Sequence, residues 1–430
     1  MSAPDAPAGG VTSSEATATS PDTLVTVVGL DAAGAPPHPA LAPALAGAGL
    51  VVGAARHLAA VPVPASAQTV VLGPLAPALR RLADAVAARV PAVVLASGDP
   101  GLFGIVRRLR AAGLPLRVVP AVSSVAAAFA RAGLSWDGAA VVTAHGRDLR
   151  PALNACRALP LVAVLTAPGA GAAELGAGLV GWSRRLLVAE NLGTDAERVR
   201  ETTPAQAAAG TWPDPHVLLS VAVPEPTVPE PVAGGGMRVD NQPAAAPVGG
   251  WALPESRYSH RDSMITKSEV RALVVARLRP RLGRLVWDVG AGSGSVGIEC
   301  ALLGAAVLAV EQDPASATTI RDNAATHAVD VRIVVGRAPA ALDGLPEPDA
   351  VFVGGGGVDV LTAVVARRPE RIVLTLAALD RVAPAVALLR AAGYTAEGSQ
   401  LAAARLADLP GGSIRLAATN PVVVLTGERP

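Results

Sequence analysis

The sequence predicts an α/β protein in two parts, the second a doubly wound, Rossmann-like sheet of seven strands. Three observations predict it. Short apolar runs alternate with Ala-, Leu- and Arg-rich helical stretches along the 430 residues, the pattern of layered α/β folds. The stretch Val286-Trp-Asp-Val-Gly-Ala-Gly-Ser-Gly294 reads as a buried strand, a glycine turn and a helix start, and the next apolar run, Ala305 to Val310, ends in Glu311. Between the halves, residues 224–250 alternate Pro, Glu, Ala and Gly without apolar periodicity, which reads as a linker.

Taken in order, residues 1–22 are rich in Ala, Ser, Thr, Pro and Gly, with neither a basic start nor an apolar core. They are expected to be a disordered tail and not a signal peptide. Over 23–223 the expected strands are Leu24–Val28, Ala92–Ala96, Arg117–Val119, Ala139–Thr143, Leu161–Leu165, Leu186–Ala189 and Val217–Val221. The linker is expected to tolerate cleavage, leaving two folded halves. Over 251–430 the expected strands are Leu285–Val289, Val307–Val310, Val331–Val335, Ala350–Val353 and Ile372–Leu376, then a closing pair near Thr395–Leu401 and Val422–Thr426. Five strand–helix units and a final antiparallel pair make the seven-stranded sheet. Its ligand crevice lies beyond the carboxyl ends of the strands, where Gly290–Gly294, Glu311, Gly336 and Gly354–Gly357 fall.

Composition narrows the classes. A net charge of +1 argues against a nucleic-acid partner held by bulk electrostatics. Cys156 and Cys300 are the only cysteines, with no metal-ligand spacing, so no metal is expected and a reducing cytoplasm fits. Mean hydropathy is +0.43, but Pro, Gly or Arg interrupts the apolar runs well before the roughly 18 residues a membrane span needs, so a soluble protein without membrane partners is expected. Lys267 is the only lysine among 36 basic residues.

The glycine turn admits two cofactors. Gly292-Ser-Gly294-Ser-Val-Gly297 satisfies the G-x-G-x-x-G pattern in which a helix start carries a pyrophosphate, as in NAD enzymes. Asp288, however, stands two residues before Gly290. A fixed carboxylate repels a pyrophosphate and suits the cationic amino-acid end of S-adenosylmethionine, directly or through water, while Glu311 can accept from both ribose hydroxyls. Methyl transfer is therefore the preferred reading, with Asp288, Gly290, Gly292, Gly294, Glu311 and Gly336 as cofactor residues. An NAD-dependent oxidoreductase on the second half, beside a non-catalytic first half, is the alternative.

In the first half, Ser97-Gly-Asp-Pro-Gly-Leu-Phe-Gly104 follows a strand and opens a helix, so Gly98, Asp99 and Pro100 are candidates for close backbone approach to a ligand. Ser123 and Ser124 close the next strand at another helix start, where the bland reading is a plain N-cap. Thr143-Ala-His-Gly-Arg147 ends a third strand. In the second half, Thr266-Lys-Ser-Glu269 reads as a capping box with Lys267 in the first turn of a helix. A cation is mildly unfavourable there, so Lys267 is also a candidate for contact with cofactor or a substrate carboxylate. His260 and Arg261 just upstream are candidates for substrate contact.

These residues together resemble a known family. Gly29, Arg56-His57-Leu58, Leu95-Ala-Ser-Gly-Asp-Pro-Gly101, Val119-Pro-Ala-Val-Ser-Ser124, His145-Gly-Arg147 and Glu190-Asn-Leu-Gly193 resemble the tetrapyrrole (precorrin) methylases, most closely the subgroup acting at C5. From Ser263-Met-Ile-Thr-Lys-Ser-Glu-Val-Arg271 to Asn420-Pro-Val422 the chain resembles the C15-methylating, decarboxylating class I methyltransferases. The opening loop Gly29-Leu-Asp-Ala-Ala-Gly34 departs from that family's Gly-x-Gly-Pro-Gly by lacking the proline and one glycine. The resemblance implies a tetrapyrrole methylase fold over 23–223 and a methyltransferase domain over 251–430. It implies one S-adenosylmethionine in each, a polycarboxylate tetrapyrrole substrate on the way to cobalamin, and a homo-oligomer.

Overall fold

The computed structural model describes residues 25–30, 38–223, 251–261 and 265–430. The expected tail at 1–22, Leu24, Gly34, Ser263, Met264 and the linker at 224–250 lie outside them. The chain divides into two compact units, residues 1–127 with 192–195, and residues 128–191 with 196–430.

The first unit is a parallel sheet with helices between its strands. In order these are β1 (Val25–Leu30), α1 (Leu41–Ala46), β2 (Leu50–Gly53), α2 (Ala55–Ala60), β3 (Gln68–Val71), α3 (Leu75–Ala87), β4 (Ala92–Ser97), α4 (Val106–Ala111), β5 (Leu116–Val119) and the start of α5 (Ser124–Ala132). The strands are ordered β3-β2-β4-β1-β5 and all pair in parallel. Both faces are buried, one by Val25, Val27, Val52, Leu82, Val94 and Leu109, the other by Val28, Leu41, Val51, Val93 and Leu95. This is why the strands read as continuous apolar runs. β2 and β3 escaped sequence reading. Each has four residues, β2 sits among Ala and Gly, and β3 is an exposed edge.

The second unit holds two sheets. β6 (Ala140–Thr143), α6 (Leu149–Ala158), β7 (Leu161–Leu165), α7 (Ala172–Leu179), β8 (Arg184–Glu190), β9 (Arg198–Thr202), α8 (Pro204–Ala209) and β10 (His216–Ala222) form a sheet ordered β6-β7-β10-β8-β9. β9, Arg-Val-Arg-Glu-Thr, has no apolar run. It is held instead by Arg198 and Arg200, which donate to the buried Glu190 at 2.6 and 2.5 Å.

The other sheet contains α9 (Ser268–Leu278), β11 (Leu285–Val289), α10 (Ser295–Leu302), β12 (Ala306–Glu311), α11 (Pro314–Thr326), β13 (Arg332–Val335), β14 (Ala350–Val353), α12 (Val358–Ala366), β15 (Arg371–Leu376), α13 (Val382–Ala391), β16 (Thr395–Leu401) and β19 (Val422–Glu428). Its order is β13-β12-β11-β14-β15-β19-β16, parallel through β15 with β19 antiparallel to both its neighbours. All seven predicted strands are present. Between β16 and β19 the chain forms an unpredicted hairpin, β17 (Ala404–Asp408) and β18 (Ile414–Ala418).

The two sheets of this unit share buried surface. Trp182 lies in the core formed by Leu285, Trp287, Leu308 and Val351, under the guanidinium groups of Arg157 and Arg332. Around it, the Arg184 side chain is fully buried and pairs with Asp330 at 2.7 Å, and Asn154 donates to the Gly283 carbonyl at 3.0 Å. Burial, and then the neighbouring Arg332 and Arg150 charges, push the Arg157 guanidinium down to about 10. Trp182→Ala is expected to lower the stability of the second unit by about 3–5 kcal/mol, the scale for removing a buried aromatic. Urea unfolding followed by tryptophan fluorescence checks it, and a change below 1 kcal/mol would show that the contact is dispensable.

Candidate active site

β11 and β12 carry their chain directly into the crevice of the seven-stranded sheet. After β11 the backbone turns through Gly290, Gly292 and Gly294, all at positive φ (72°, 57° and 75°). Glycine is required at two of them on spatial grounds as well. A Cβ on Gly290 would lie 2.9 Å from the Gly355 amide nitrogen, and one on Gly294 would lie 2.8 Å from Ile320 Cγ2. The loop is thereby pressed between α11 and the Gly354–Gly357 turn, leaving its amides at the head of α10.

Glu311, at the end of β12, accepts from Gly292 N at 2.8 Å and from Asp313 N at 3.0 Å. It borders a cavity of about 410 Å³ with Gly290, Gln312, Gly336, Arg337, Pro339 and Asp359. On the other side of the loop a cavity of about 400 Å³ is lined by Gly290–Ser293, Thr266, Lys267, Phe352, Thr375 and Asn420. A third, of about 420 Å³, shares Gly354, Thr375 and Val422 with it and adds Leu374, Leu376 and Arg381. A carboxylate and a glycine turn on one side, with a cation and an apolar wall on the other, suit a nucleoside-bearing cofactor beside a large acidic substrate.

Asp288 sits differently from the sequence expectation. It is fully buried beneath the loop, where its Oδ2 accepts from Gly297 N at 2.8 Å, inside α10. Its Oδ1 has no hydrogen-bond partner. The carboxylate therefore braces the turn from below, and no face of it is open to the cavities. Burial pushes it up to about 7, the Gly297 amide opposing the shift and the Glu311 charge adding to it.

Residues 251–261, with 265–267 at the start of α9, form a strap beside α9 and α10, pinned by a buried carboxylate. Glu299 of α10 accepts from the amides of Ala252 and Leu253 at 2.8 and 3.0 Å, from the Tyr258 hydroxyl at 3.2 Å, and from Arg271 Nε at 2.5 Å. Arg271 also donates to the carbonyls of Thr266, at 2.5 Å, and Leu253. Asn323 ties Ser259 to the glycine loop, donating to the carbonyls of both Ser259 and Ser293 at 2.9 Å.

The capping box predicted at Thr266–Glu269 does not form. Lys267 is itself the N-cap of α9 with no side-chain cap, and the Ser268 amide donates instead to Glu255 at 3.0 Å. Burial raises the Glu255 carboxyl, but hydrogen bonds led by Arg405 outweigh it and hold it at about 2. Arg405 comes from β17 and also grips Glu269. The sequence offered a hint of this hub, Glu299 being an acid in an otherwise apolar helix, but none of its partners.

Among the other predicted residues, Lys267 lines the cavity beside the glycine loop. His260 is exposed, and Arg261 pairs at 2.9 Å with Asp313, the N-cap of α11; neither borders the cavities described. Gly336 lies below the Glu311 cavity, its amide bonded to the Glu311 carbonyl at 2.9 Å.

In the first unit the carboxyl ends of β1, β4 and β5 close on one another. A Cβ on Gly29 would lie 2.1 Å from the Gly98 carbonyl oxygen. Gly98 has φ +58° and packs on Val122 and Ser123. Asp99 accepts from Gly101 N at 2.7 Å and shapes the turn before α4, with Pro100 buried beneath. Ser123 Oγ accepts from Ala126 N at 3.1 Å, which is the plain N-cap role, and Ser124 is the first residue of α5. Because β1 leads to one side of the sheet and β4 to the other, the strand order reverses between Gly29 and Gly98, where parallel sheets open a crevice. His145 is exposed at the end of β6, in the second unit.

Comparison with known proteins gives a consistent result. The tetrapyrrole (corrin/porphyrin) methylases match residues 39–208, and the precorrin methyltransferase domain matches residues 257–427. A probable cobalt-precorrin-6B C(15)-methyltransferase (decarboxylating) of Pyrobaculum calidifontis is 35% identical over 185 residues, 40% of this chain and 94% of that protein. The precorrin-6Y C(5,15)-methyltransferase [decarboxylating] of a Sinorhizobium species is 41% identical over 296 residues, 66% of this chain and 67% of that one. This chain belongs to the precorrin methyltransferases. Among solved structures, a precorrin-6Y C5,15-methyltransferase from Geobacter metallireducens covers 42% of the chain at 33% identity, with a TM-score of 0.39. As a member of that family the chain is an S-adenosylmethionine-dependent methyltransferase, and the oxidoreductase alternative finds no support among these relatives. Among the described residues no helix is long and apolar enough to cross a membrane.

The state of Asp288 is testable. A carboxyl whose folded pKa lies above its unfolded value binds extra protons when folded, so its contribution to stability falls as pH rises from about 4 to about 7. Asp288→Asn keeps an acceptor for Gly297 and removes that dependence. The variant's stability relative to the parent should rise by on the order of 2 kcal/mol between pH 5 and pH 8, read by urea unfolding at both. A flat difference would show that Asp288 stays ionised.

Proposed function

We propose that the chain methylates a precorrin at C5 and C15 and decarboxylates a ring acetate, whose carboxyl leaves as carbon dioxide and whose methylene is left as a methyl group, a step of cobalamin synthesis in the cytoplasm. C5 methylation is assigned to residues 23–223 and C15 methylation with decarboxylation to residues 251–430, each using its own S-adenosylmethionine. The observation that carries this reading is the glycine-built crevice at a strand switch in each half, Gly29–Gly98 in one and Gly290–Gly294 in the other, so that neither half needs to borrow a cofactor site.

The chemistry asks little of side chains as bases or nucleophiles. The meso carbons of a reduced tetrapyrrole are enamine-like, so methyl transfer from a sulfonium needs in-line placement and removal of water. In the second half, Glu311 is assigned to the ribose hydroxyls and the loop amides to the rest of the cofactor. Asp288 supports that loop. Decarboxylation needs an electron sink, which the protonated macrocycle supplies. Lys267, with Arg381 in the adjoining cavity, is assigned to substrate carboxylates, and His260 and Arg261 to an outer role toward the same substrate.

We further propose a homo-oligomer joined through the β17–β18 hairpin, which exposes Leu406, Leu409, Ile414 and Leu416, an apolar patch of the kind that marks an interface. Leu406→Asp with Leu416→Asp should shift the sedimentation of the protein to monomer; an unchanged distribution would remove the hairpin from the interface.

Product analysis by mass spectrometry with labelled methyl donor tests the division of labour. Gly98→Val, at positive φ against Val122, should leave carbon dioxide release intact and deliver one methyl group. Gly292→Val, also at positive φ, should abolish decarboxylation together with one methylation. Two methyl groups from the Gly98 variant would make the first half a tetrapyrrole-holding module.

A further inference from the structure

The motif Arg56-His57-Leu58 has no part in the chemistry above, yet the fold carries it to the crevice of the first unit. β2 ends at Gly53 and α2 follows almost at once, so Arg56 and His57 stand beside the carboxyl end of β4. A Cβ on Gly53 would lie 3.1 Å from Leu95 Cβ and 3.5 Å from His57 Cβ. The bare glycine lets the imidazole close on β4. His57 Nε2 lies 2.8 Å from Ser97 Oγ, Arg56 Nη2 donates to the same oxygen at 3.0 Å, and Arg56 Nε reaches His57 Nε2 at 3.4 Å.

The donors and acceptors of this trio can be assigned. A guanidinium only donates, so Nε2 presents its lone pair and the ring proton sits on Nδ1, which is buried against the backbone of Leu95 in β4. Ser97 Oγ accepts from Arg56, so its own hydrogen is directed at His57, and one lone pair of Oγ is left over. Ser97 is exposed and directly precedes Gly98. Burial first, and then the Arg56 charge, hold the imidazole below its ordinary pKa. The strands packed against α2 (Leu-Val-Val-Gly, Gln-Thr-Val-Val and Ala-Val-Val-Leu-Ala-Ser) carry no titratable side chain. Among the described residues of these elements Arg56 is the only charge beside the ring, and the ring is neutral near pH 7.

We propose that Ser97 and His57 accept the proton that methyl transfer releases in the first unit, an inference that rests on reading this unit as the C5 methylase. When a meso CH attacks the sulfonium, the carbon–methyl bond forms, the sulfur–methyl bond breaks with its pair going to sulfur, and the ring is left cationic. Conjugation returns when the C–H bond breaks and its pair enters the ring. The proton passes to Ser97 Oγ as the Ser97 proton moves to His57 Nε2, and the imidazolium then yields it to water. Ser97 meets the substrate, and His57 acts through it as the proton sink, oriented by Arg56.

The test uses the full chain, a precorrin unmethylated at C5 and C15, and methyl-labelled S-adenosylmethionine. His57→Gln and Ser97→Ala should each slow C5 methylation by about 100-fold or more, the usual range for a proton acceptor. Carbon dioxide release and C15 methylation should be unchanged in both. The parent should lose C5 methylation as pH falls through the His57 pKa, and this acidic limb should vanish in His57→Gln. A merely structural trio would not move the limb. The more conservative Ser97→Ala, with its affinity for S-adenosylhomocysteine measured alongside, separates loss of the relay from loss of the fold. C5 methylation within threefold of the parent in both variants, or an acidic limb that survives His57→Gln, would overturn the proposal alone. A parent that transfers no methyl group to C5 would overturn the reading of the unit with it.

Discussion

The second unit depends on one buried ion pair. Glu299 and Arg271 are both fully removed from water, a state that costs several kcal/mol per charge unless every lone pair and proton is matched. They are matched by the strap itself, through two amides and a tyrosine hydroxyl on the carboxylate and two carbonyls on the guanidinium. Leu253, Tyr258 and Ile265 of the strap also pack on Ile298 and Ala324, so the charges and an apolar cluster hold it together. Thr266, whose carbonyl Arg271 grips, is the neighbour of Lys267, and α10, which carries Glu299, begins at Gly294. The pair therefore fixes the distance between the chain's only lysine and its glycine turn. Removing either member would leave the other's charge buried without its counter-charge, which is worse than never having had the pair.

The two crevices solve the same steric problem on different sheets. In each, backbone must approach backbone more closely than a side chain allows, at Gly29 against Gly98 and at Gly290 against Gly355. In each, a carboxylate braces the chain around the turn: Asp99 receives the Gly101 amide, and Asp288 receives the Gly297 amide. The difference lies at the rim. The second crevice is flanked by Glu311, Lys267 and apolar walls, whereas the first has a neutral imidazole backed by an arginine. The two crevices thus differ in their acid–base surroundings.

Legibility in the sequence followed the range of the interaction. The five parallel strands of the C-terminal sheet are short runs rich in Val, Leu, Ile and Ala and were readable as such, as were the glycine turn and Glu311 beyond it. β9 was not, because Arg-Val-Arg-Glu-Thr has no apolar run, and it is held by its ladder to β8 and by Glu190 of that strand. The box at Thr266–Glu269 looked local, but Glu255, thirteen residues upstream, takes the Ser268 amide. The direction of Asp288 was equally hidden. Strand periodicity assigns a face but does not tell whether a carboxylate on that face reaches the crevice or the underside of the loop. Arg405 and its hairpin had no signal of their own, since five-residue strands carrying both apolar and charged side chains resemble a loop.

Trp182 belongs by sequence to the half that leaves the ribosome first, and by packing to the core of the half that leaves last. Its neighbours Leu285, Trp287, Leu308 and Val351 are made about a hundred or more residues later, so the nascent chain displays an indole and the fully burial-destined Arg184 until most of the C-terminal sheet exists. Transient apolar surface of this kind is where multidomain chains misassemble. The order of synthesis thus leaves a period in which the first half is made but not yet covered.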